Sequence, residues 1–508
     1  MSEIKASFID RVIGAVSPAW ALKRLAAKAQ LEAITADRTH KAARKDRLSN
    51  DWSTSTTLTP EEMFGADRLP LLARSRRLEY ENDIAASVAN AVIANVIGMG
   101  IRPQSKAAGK AFARDAEALW NEWVKQKNCD VTGCSTFFDL QRLVLRRWLF
   151  DGEFFVHHVV PQGKPSGEML VPYQIQLIDP LMVQSPFSLR SAQNVYSGIE
   201  IDNFSRPIAY HVLQGYGSQA PANQTTVIPA QDMLHGFTKI LPTQIRGISP
   251  FAPALQRIRD TTEFIDAELI AARIAACFAL FITTSAPSAA LGRLDLDDDG
   301  QPIEGLKPGM SVYLRPGEDV KTATPGRPDT TAKEFIETQQ RLVAGAMGLS
   351  YELLARDLSK VTFSSARQGH LEDRRAFSVI QQFIIDHFCQ PVWEEFLKWA
   401  VMSGKLMQAR SFSSRPQDYL PARWIAPGWG WIDPLKEAQA NNLGLDRGYI
   451  TLSQICGQLG LDWQEVLDQR RKEVEYAKSI GLTVVDPAAQ QGGDPPNGSD
   501  EDMGPTEE

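Results

Sequence analysis

Residues 251–283, FAPALQRIRDTTEFIDAELIAARIAACFALFIT, constrain this chain more than any other stretch. Phe251, Leu255, Ile258, Thr262, Ile265, Leu269, Ala272 and Ala276 recur in alternating steps of four and three, which predicts one long helix over 251–283 with a seam for packing against other helices. At 1.5 Å per residue such a helix is a rod of roughly 45 Å. Its most apolar part, LIAARIAACFALFI (269–282), is interrupted by Arg273 and falls short of the roughly 18 apolar residues that a membrane span needs. The rest of the fold has to be arranged around this rod.

The hydrophobic period changes on either side of it. Helices are expected at 76–97 (Leu78, Ala85, Val88, Val92, Val96, with Gly98 as the stop), at 109–126 (Phe112, Ala116, Leu119, Trp123) and at 137–150 (Phe137, Leu140, Val144, Trp148) behind a Thr136/Asp139 capping box. From 152 to 240 the period is two, in FFVHHVV, YQIQLI, GIEI and IAYHVL, which predicts an antiparallel sheet region. Helices followed by strands make the class α+β. Beyond the rod come a Gly/Pro/Asp-rich segment with short strands (284–330), a helix at 332–347, another from 366 to about 389, and short helices to 485.

Composition is that of a folded protein of two to four domains, with 508 residues, 43% hydrophobic and 23% charged. The N-terminus carries Glu3 and Asp10 and shows no signal-peptide pattern, and the five cysteines are scattered, so a cytosolic origin is expected. The net charge of −7 is uneven: 1–50 hold ten Lys/Arg against five Asp/Glu, and 486–508 hold seven acids and no base. Residues 1–75 read as a mobile arm and 486–508 as a disordered acidic tail. Without the tail the body is close to neutral, a poor starting point for tight DNA binding through many phosphate contacts.

No stretch makes a convincing catalytic constellation. LSKVTFSSARQGHLEDRR (358–375) gathers serines, a histidine, acids and arginines, but Ser365 with Gln368 reads as a capping box opening a helix at Ala366, and no nucleophile elbow is present. In DGEFFVHHVV, His157 and His158 would lie on opposite faces of a strand and cannot share a metal. DLDDDG (295–300) starts like a calcium loop but has Leu306 where the bidentate acid belongs. GMGIRP (98–103) lacks the third glycine of a dinucleotide fingerprint, and CDVTGC (129–134) is a single cysteine pair. Trp424, Trp429 and Trp431 have no basic residues interleaved beyond Arg423 and read as packing. No GxxxxGK[ST] occurs, so no ATP-driven motor and no cofactor is expected.

Taken in order, GMGIRPQS, LWNEWVKQKNCDVTG, DGEFFV, IQLIDP, GIEID…RPIAYHV, IPAQDMLHGF, RGISPFAPALQRIRD, DAELIAARIAACFA, LRPGEDV, GLSYELLARDLSKVTFSSARQG, CQPVWEEFL and WIDPLKEAQAN resemble the portal proteins of tailed bacteriophages, in the lambda-like branch, from about 76 to 485. The resemblance implies a portal-type subunit: an N-terminal arm (1–75), a wing of helices then antiparallel sheet (76–250), a stem helix (251–283), a small α/β clip (284–330), a return stem helix (331–357), a tunnel loop (358–365), an inner wing helix and crown (366–485) and the tail (486–508). It implies a homo-oligomeric ring, dodecameric in the capsid, at one head vertex. Double-stranded DNA would pass through it during packaging and ejection. Its partners would be the terminase large subunit, capsid and scaffold proteins and the head–tail connector, with no membrane, enzymatic or cofactor role, in the virion and in the host cytoplasm during assembly.

The same resemblance places Arg356, Asp357, Ser359, Lys360, Val361, Thr362 and Phe363 at the tunnel loop, and makes Arg257, Asp260, Glu263, Asp266 and Glu268 candidate stem residues. Physically, a head-to-tail contact whose rotation closes makes a ring. A channel with more acid than base repels phosphate, leaving any grip to a few groups, with Lys360 and Arg356 the expected ones. Alternatives are another ring-forming virion or connector component, or a hydrolase or metal-dependent nuclease centred on Ser365. Negative-stain images separate these classes.

Overall fold

The computed structural model describes residues 59–161, 169–185, 194–214, 225–276, 280–284, 318–322, 332–430 and 433–482. Most of the expected arm, the DLDDDG loop, Trp431 and the acidic tail lie outside them, as does most of 284–330.

The first helices are α1 (Pro60–Glu81) and α2 (Asp83–Val96). The expected start at 76 is therefore corrected, since 60–75 are helical and the break falls at Asn82. The Asn82 side chain accepts from the Ala85 amide at 2.9 Å, capping α2, and its Nδ2 donates to Thr262 Oγ1 at 2.7 Å on the central helix. Next come β1 (Arg102–Ser105), α3 (Lys110–Trp123) and α4 (Phe137–Asp151), the last opened by the expected Thr136/Asp139 capping box. On α3 the buried position between Ala116 and Trp123 is held by Trp120, 1% exposed, and Leu119, expected there, is only half-buried. Trp120 makes edge contacts with Phe137, Trp393 and Phe396, with centroids 5.0–5.2 Å apart, and these rings centre the main core.

The period-two region forms β2 (Glu153–Val159), β3 (Gln174–Ile178), β4 (Val195–Tyr196), β5 (Ile199–Ile201), β6 (Pro207–Leu213), β7 (Thr225–Pro229) and β8 (Met233–Phe237). They make two antiparallel sheets, ordered β3-β2-β8 and β4-β5-β6-β7, over a second core of Phe155, Ile178, Ile199, Tyr210, Val212 and Ile228. The α+β class holds.

The central helix, α5, spans Leu255–Ala276, 22 residues. That is roughly 33 Å and shorter than the expected rod. Residues 251–254 are turns, and β9 (Leu280–Thr284) occupies what periodicity assigned to the same helix. The β-branched run Ile282–Thr284 favours the switch: Ile282, Thr283 and Thr284 pair antiparallel with Val320, Asp319 and Glu318 of β10 (Glu318–Thr322). The chain then enters α6 (Ala332–Ala346), α7 (Tyr351–Ala355) and α8 (Phe363–Ile384). α8 continues without a break through a π-helical segment, Ile385–Cys389, into α9 (Gln390–Met402). The π turn rotates the buried face, so Phe388 and Cys389 are buried and His387, which continues the helical spacing of Ala376, Ile380, Phe383 and Ile384, is exposed. β11 (Ala422–Ile425) pairs with β1, and α10 (Pro434–Asp446), α11 (Leu452–Gln458) and α12 (Trp463–Ser479) complete the described chain. None of the described helices is long and apolar enough to cross a membrane.

Candidate nucleic-acid interface

Two antiparallel sheets and three helices converge where α4 ends. Asp151 and Gly152 are the DG of DGEFFV; Arg246 and Gly247 are the RG of RGISPF. Gly152 sits at φ 86°, and a Cβ on Gly247 would lie 2.2 Å from the Gly152 carbonyl oxygen, so only glycine permits this approach of the two backbones. The closeness puts the fully buried Glu153 carboxylate beside Arg246, whose Nε donates to Oε1 at 2.9 Å and to Oε2 at 3.0 Å, while the Gly247 amide donates to Oε2 at 2.8 Å. His235 Nε2 donates to Oε2 at 3.1 Å, and Arg68 reaches Oε1 at 3.5 Å. Burial alone would push the Glu153 carboxyl up; the Arg246 guanidinium and the His235 hydrogen bond outweigh it and hold the group well below the usual carboxylate range. Arg246 also donates to the carbonyls of Pro180, Val183 and Ser197, tying the second sheet to the segment that leads into α5. The arrangement is a charged joint aiming the central helix. No group of three or more His, Cys, Asp or Glu among the described residues could hold a metal ion.

α5 and α6 pack against each other. Phe264 and Phe335 are 4.6 Å apart between ring centroids, and Arg257 Nη1 donates to Gln339 Oε1 at 2.6 Å. Ile258 and Thr261 are buried, but the seam predicted from periodicity is covered only in its first half: Ile265 is 36% exposed, Leu269 49% and Ile270 55%. Arg257, Asp260, Glu263 and Asp266 are exposed and Glu268 half-buried. Glu263 accepts from Arg259 Nε at 2.7 Å one turn away. A groove of about 470 Å³ between the two helices is lined by Pro253, Gln256, Arg257, Asp260, Thr261, Phe335 and Gln339.

α6 stops at Gly348 (φ 69°), and α7 follows, with Ser350 as its cap and Ser350 Oγ bonded to the buried Asp373 of α8 at 2.6 Å. Arg356 closes α7 in the left-handed region at φ 52°, and the Asp357 carboxylate accepts from the Ser359 amide at 2.9 Å, turning the chain. Leu358 is 58% exposed at the tip. Lys360 turns back, donating from Nζ to both carboxylate oxygens of Glu337 on α6 at 2.9 Å. Thr362, not Ser365, caps α8: its hydroxyl accepts from the Ser365 amide, and the two hydroxyls lie 2.6 Å apart. The expected Ser365/Gln368 box is thus one turn too late, because Phe363, Ser364 and Ser365 are already helical; among the described residues the hydrogen bonds of the Ser365 hydroxyl run to Thr362.

The structure therefore brings Arg356, Asp357, Ser359, Lys360, Val361 and Thr362 into one loop, with Phe363 opening the helix behind it, and places Arg257, Asp260, Glu263, Asp266 and Glu268 on α5. Of the two expected gripping groups, Lys360 is engaged by Glu337, whereas Arg356 makes no ion pair among the described residues. Glu337 was not among the sequence-based candidates. Its signal was the pair of basic residues at i−4 and i+4, Lys333 and Arg341. The Glu153–Arg246 joint carried no local signal, since the two residues are far apart in the chain.

Residues 45–381 match the family described as phage portal protein, lambda family. The chain is 30% identical over 466 residues to a probable portal protein of Halomonas phage phiHAP-1, the match covering 88% of each. It is 24% identical over 470 residues to portal protein B of Escherichia phage lambda, covering 83% of this chain and 87% of that one. Among solved structures, a chain in the neck of a native gene transfer agent particle, computed with C12 symmetry, has 13% identity and a TM-score of 0.41, covering 81% of this chain and 97% of that one. The class so defined is that of phage portal subunits, which are structural proteins and not a known enzyme family. This chain belongs to the lambda family of phage portal proteins.

Proposed function

We propose that copies of this chain close into a ring, a dodecamer, at one vertex of a phage head, and that double-stranded DNA is packaged and ejected through its hole. The observation that carries the ring is the half-covered seam of α5: Ile265 and Leu269, with Ile270 beside them, stand exposed on a helix whose Leu255, Ile258 and Thr261 are buried. A run of apolar side chains left open on an otherwise well-packed element calls for a partner surface, and a neighbouring copy supplies it when the contact is head-to-tail.

In this reading 76–250 is the wing, 251–283 the stem, 284–330 the clip, 331–357 the return stem, 358–365 the tunnel loop and 366–485 the inner wing and crown, with 1–75 an arm and 486–508 a tail. The β9–β10 pair joins the stem to the clip, where the terminase large subunit docks during filling and the head–tail connector afterwards; the wing meets capsid and scaffold proteins. On the stem the exposed acids Asp260, Glu263 and Asp266 stand among exposed Arg257, Arg259 and Arg273, so the helix offers a phosphate backbone no excess of positive charge, which suits a conduit through which a duplex slides. The ring assembles in the host cytoplasm and ends in the virion. Heads assembled without the protein stay empty of DNA in this account; normal filling in its absence contradicts it.

A further inference from the structure

We propose that Glu337 is the positioning residue of the 356–362 loop, holding it against α6 through Lys360 and releasing it when another anion takes the lysine. The idea rests on the reading of that loop as part of a DNA conduit and adds the element that sets its place.

Three cations surround the one carboxylate. Lys360 comes from the loop at 2.9 Å, Arg341 from the next turn of α6 at 3.4 Å and Lys333 from the preceding turn at 3.9 Å. The Glu337 side chain is only 9% exposed, whereas the Lys360 side chain is 58% exposed. The acid is thus fixed in the helix wall and the lysine is the movable partner. The hydrogen bond from Lys360 holds the Glu337 carboxyl below its ordinary range, and the bond to Glu337 raises the lysine in turn.

The other charged or titratable groups that bear on this cluster are Asp357, which faces Lys333 and Lys360, and Tyr351, whose ring lies under Arg341 at 4.8 Å. Among the described groups just named, Lys333, Arg341 and Lys360 outnumber Glu337 and Asp357 by one. Both ends of the loop suit a swing: the left-handed Arg356 at one end and the Thr362 cap at the other are places where a chain turns without unwinding a long helix. Leu358 at the tip is 58% exposed.

The test is amide hydrogen exchange on the full-length assembled protein, read at Ser359, Lys360 and Val361. Glu337→Gln and Lys360→Gln are expected to speed exchange there about two- to fivefold, the range an ion pair open to solvent supplies. Exchange in the middle of α6 should stay unchanged, showing that the fold is intact. Lys360→Arg and Glu337→Asp keep the charges and are expected to keep the slow exchange. Near 1 M salt the unsubstituted protein should approach the Glu337→Gln rate, since screening reaches within a few ångströms. Unchanged exchange in Glu337→Gln, or equal acceleration by Lys360→Arg and Lys360→Gln, overturns the proposal. The conduit reading is checked separately by the DNA content of heads; heads that fill without the protein would remove that reading while leaving the exchange result standing.

Discussion

Glu153 is a fully buried carboxylate that Arg246, Arg68 and His235 all reach. Replacing it with alanine leaves the Arg246 guanidinium, 2% exposed, without its anion. The expected cost is about 3–5 kcal/mol in a urea titration, because a buried charge that loses its partner keeps its desolvation penalty. A titration unchanged within about 1 kcal/mol would show that the joint is not what holds the two sheets to α5.

His158 makes a second prediction at this scale. Burial pushes its imidazole down to about 4, and Tyr173 Oη shares a hydrogen bond with Nδ1 at 2.7 Å. In the unfolded chain the ring takes up a proton below about 6.5, in the native protein only near 4. The native state is therefore at full strength above pH 6.5 and loses stability as the pH falls toward 4, with about 2 kcal/mol gone at pH 5. Burial depresses His157 as well, with the same sign. His158→Gln should flatten the fall between pH 7 and pH 5; an unaltered slope would assign the loss elsewhere.

At the level of elements, Arg356 tests how the loop is built. Its φ of 52° is outside the comfort of side chains branched at Cβ. Arg356→Val is expected to destabilise by about 1–2 kcal/mol and Arg356→Gly to cost nothing or to stabilise slightly, measured by thermal unfolding. Equal costs would mean that the guanidinium, not the backbone, matters there.

The elements also show what was readable beforehand and why. α4 was legible to its cap, because Thr136, Asp139 and the Phe137/Leu140/Val144/Trp148 spacing all act within a few residues. β2, β3 and β6 were legible as strands, but burial does not alternate along them as expected: Glu153, Phe154, Phe155 and Val156 are buried in succession because both faces of β2 are covered. α5 was overextended: the apolar run continues through Leu280, Phe281 and Ile282, and their pairing with Thr322, Lys321 and Val320, some 40 residues away, makes them a strand. Likewise the π turn at Ile385–Cys389 has no signature in apolar spacing, so His387 fell on the wrong face. The loop candidates at 356–362 were found through family resemblance; their partner Glu337 was missed because a single acid in a helix reads as solvated surface until the fold brings Lys360 to it.

For the whole molecule, the central claim is that the chain works as one segment of a closed collar. Two kinds of surface bear on it: the exposed half of the α5 seam, and the C-terminal helices α10–α12, on which Leu435 is 69% exposed, Leu443 52% and Tyr476 69%. Leu269→Asp puts a charge in the middle of the first surface without touching the subunit core. It is expected to leave the circular dichroism of the subunit unchanged while lowering the assembled mass to that of a single chain at micromolar concentration. Retention of the large species would move the contact off α5.

The most direct measurement is negative-stain imaging of the purified, unsubstituted protein together with its mass in solution. The account predicts rings with an open centre and a mass near twelve times 56.3 kDa. Single particles of one-chain mass, with no central hole at any concentration, would contradict it.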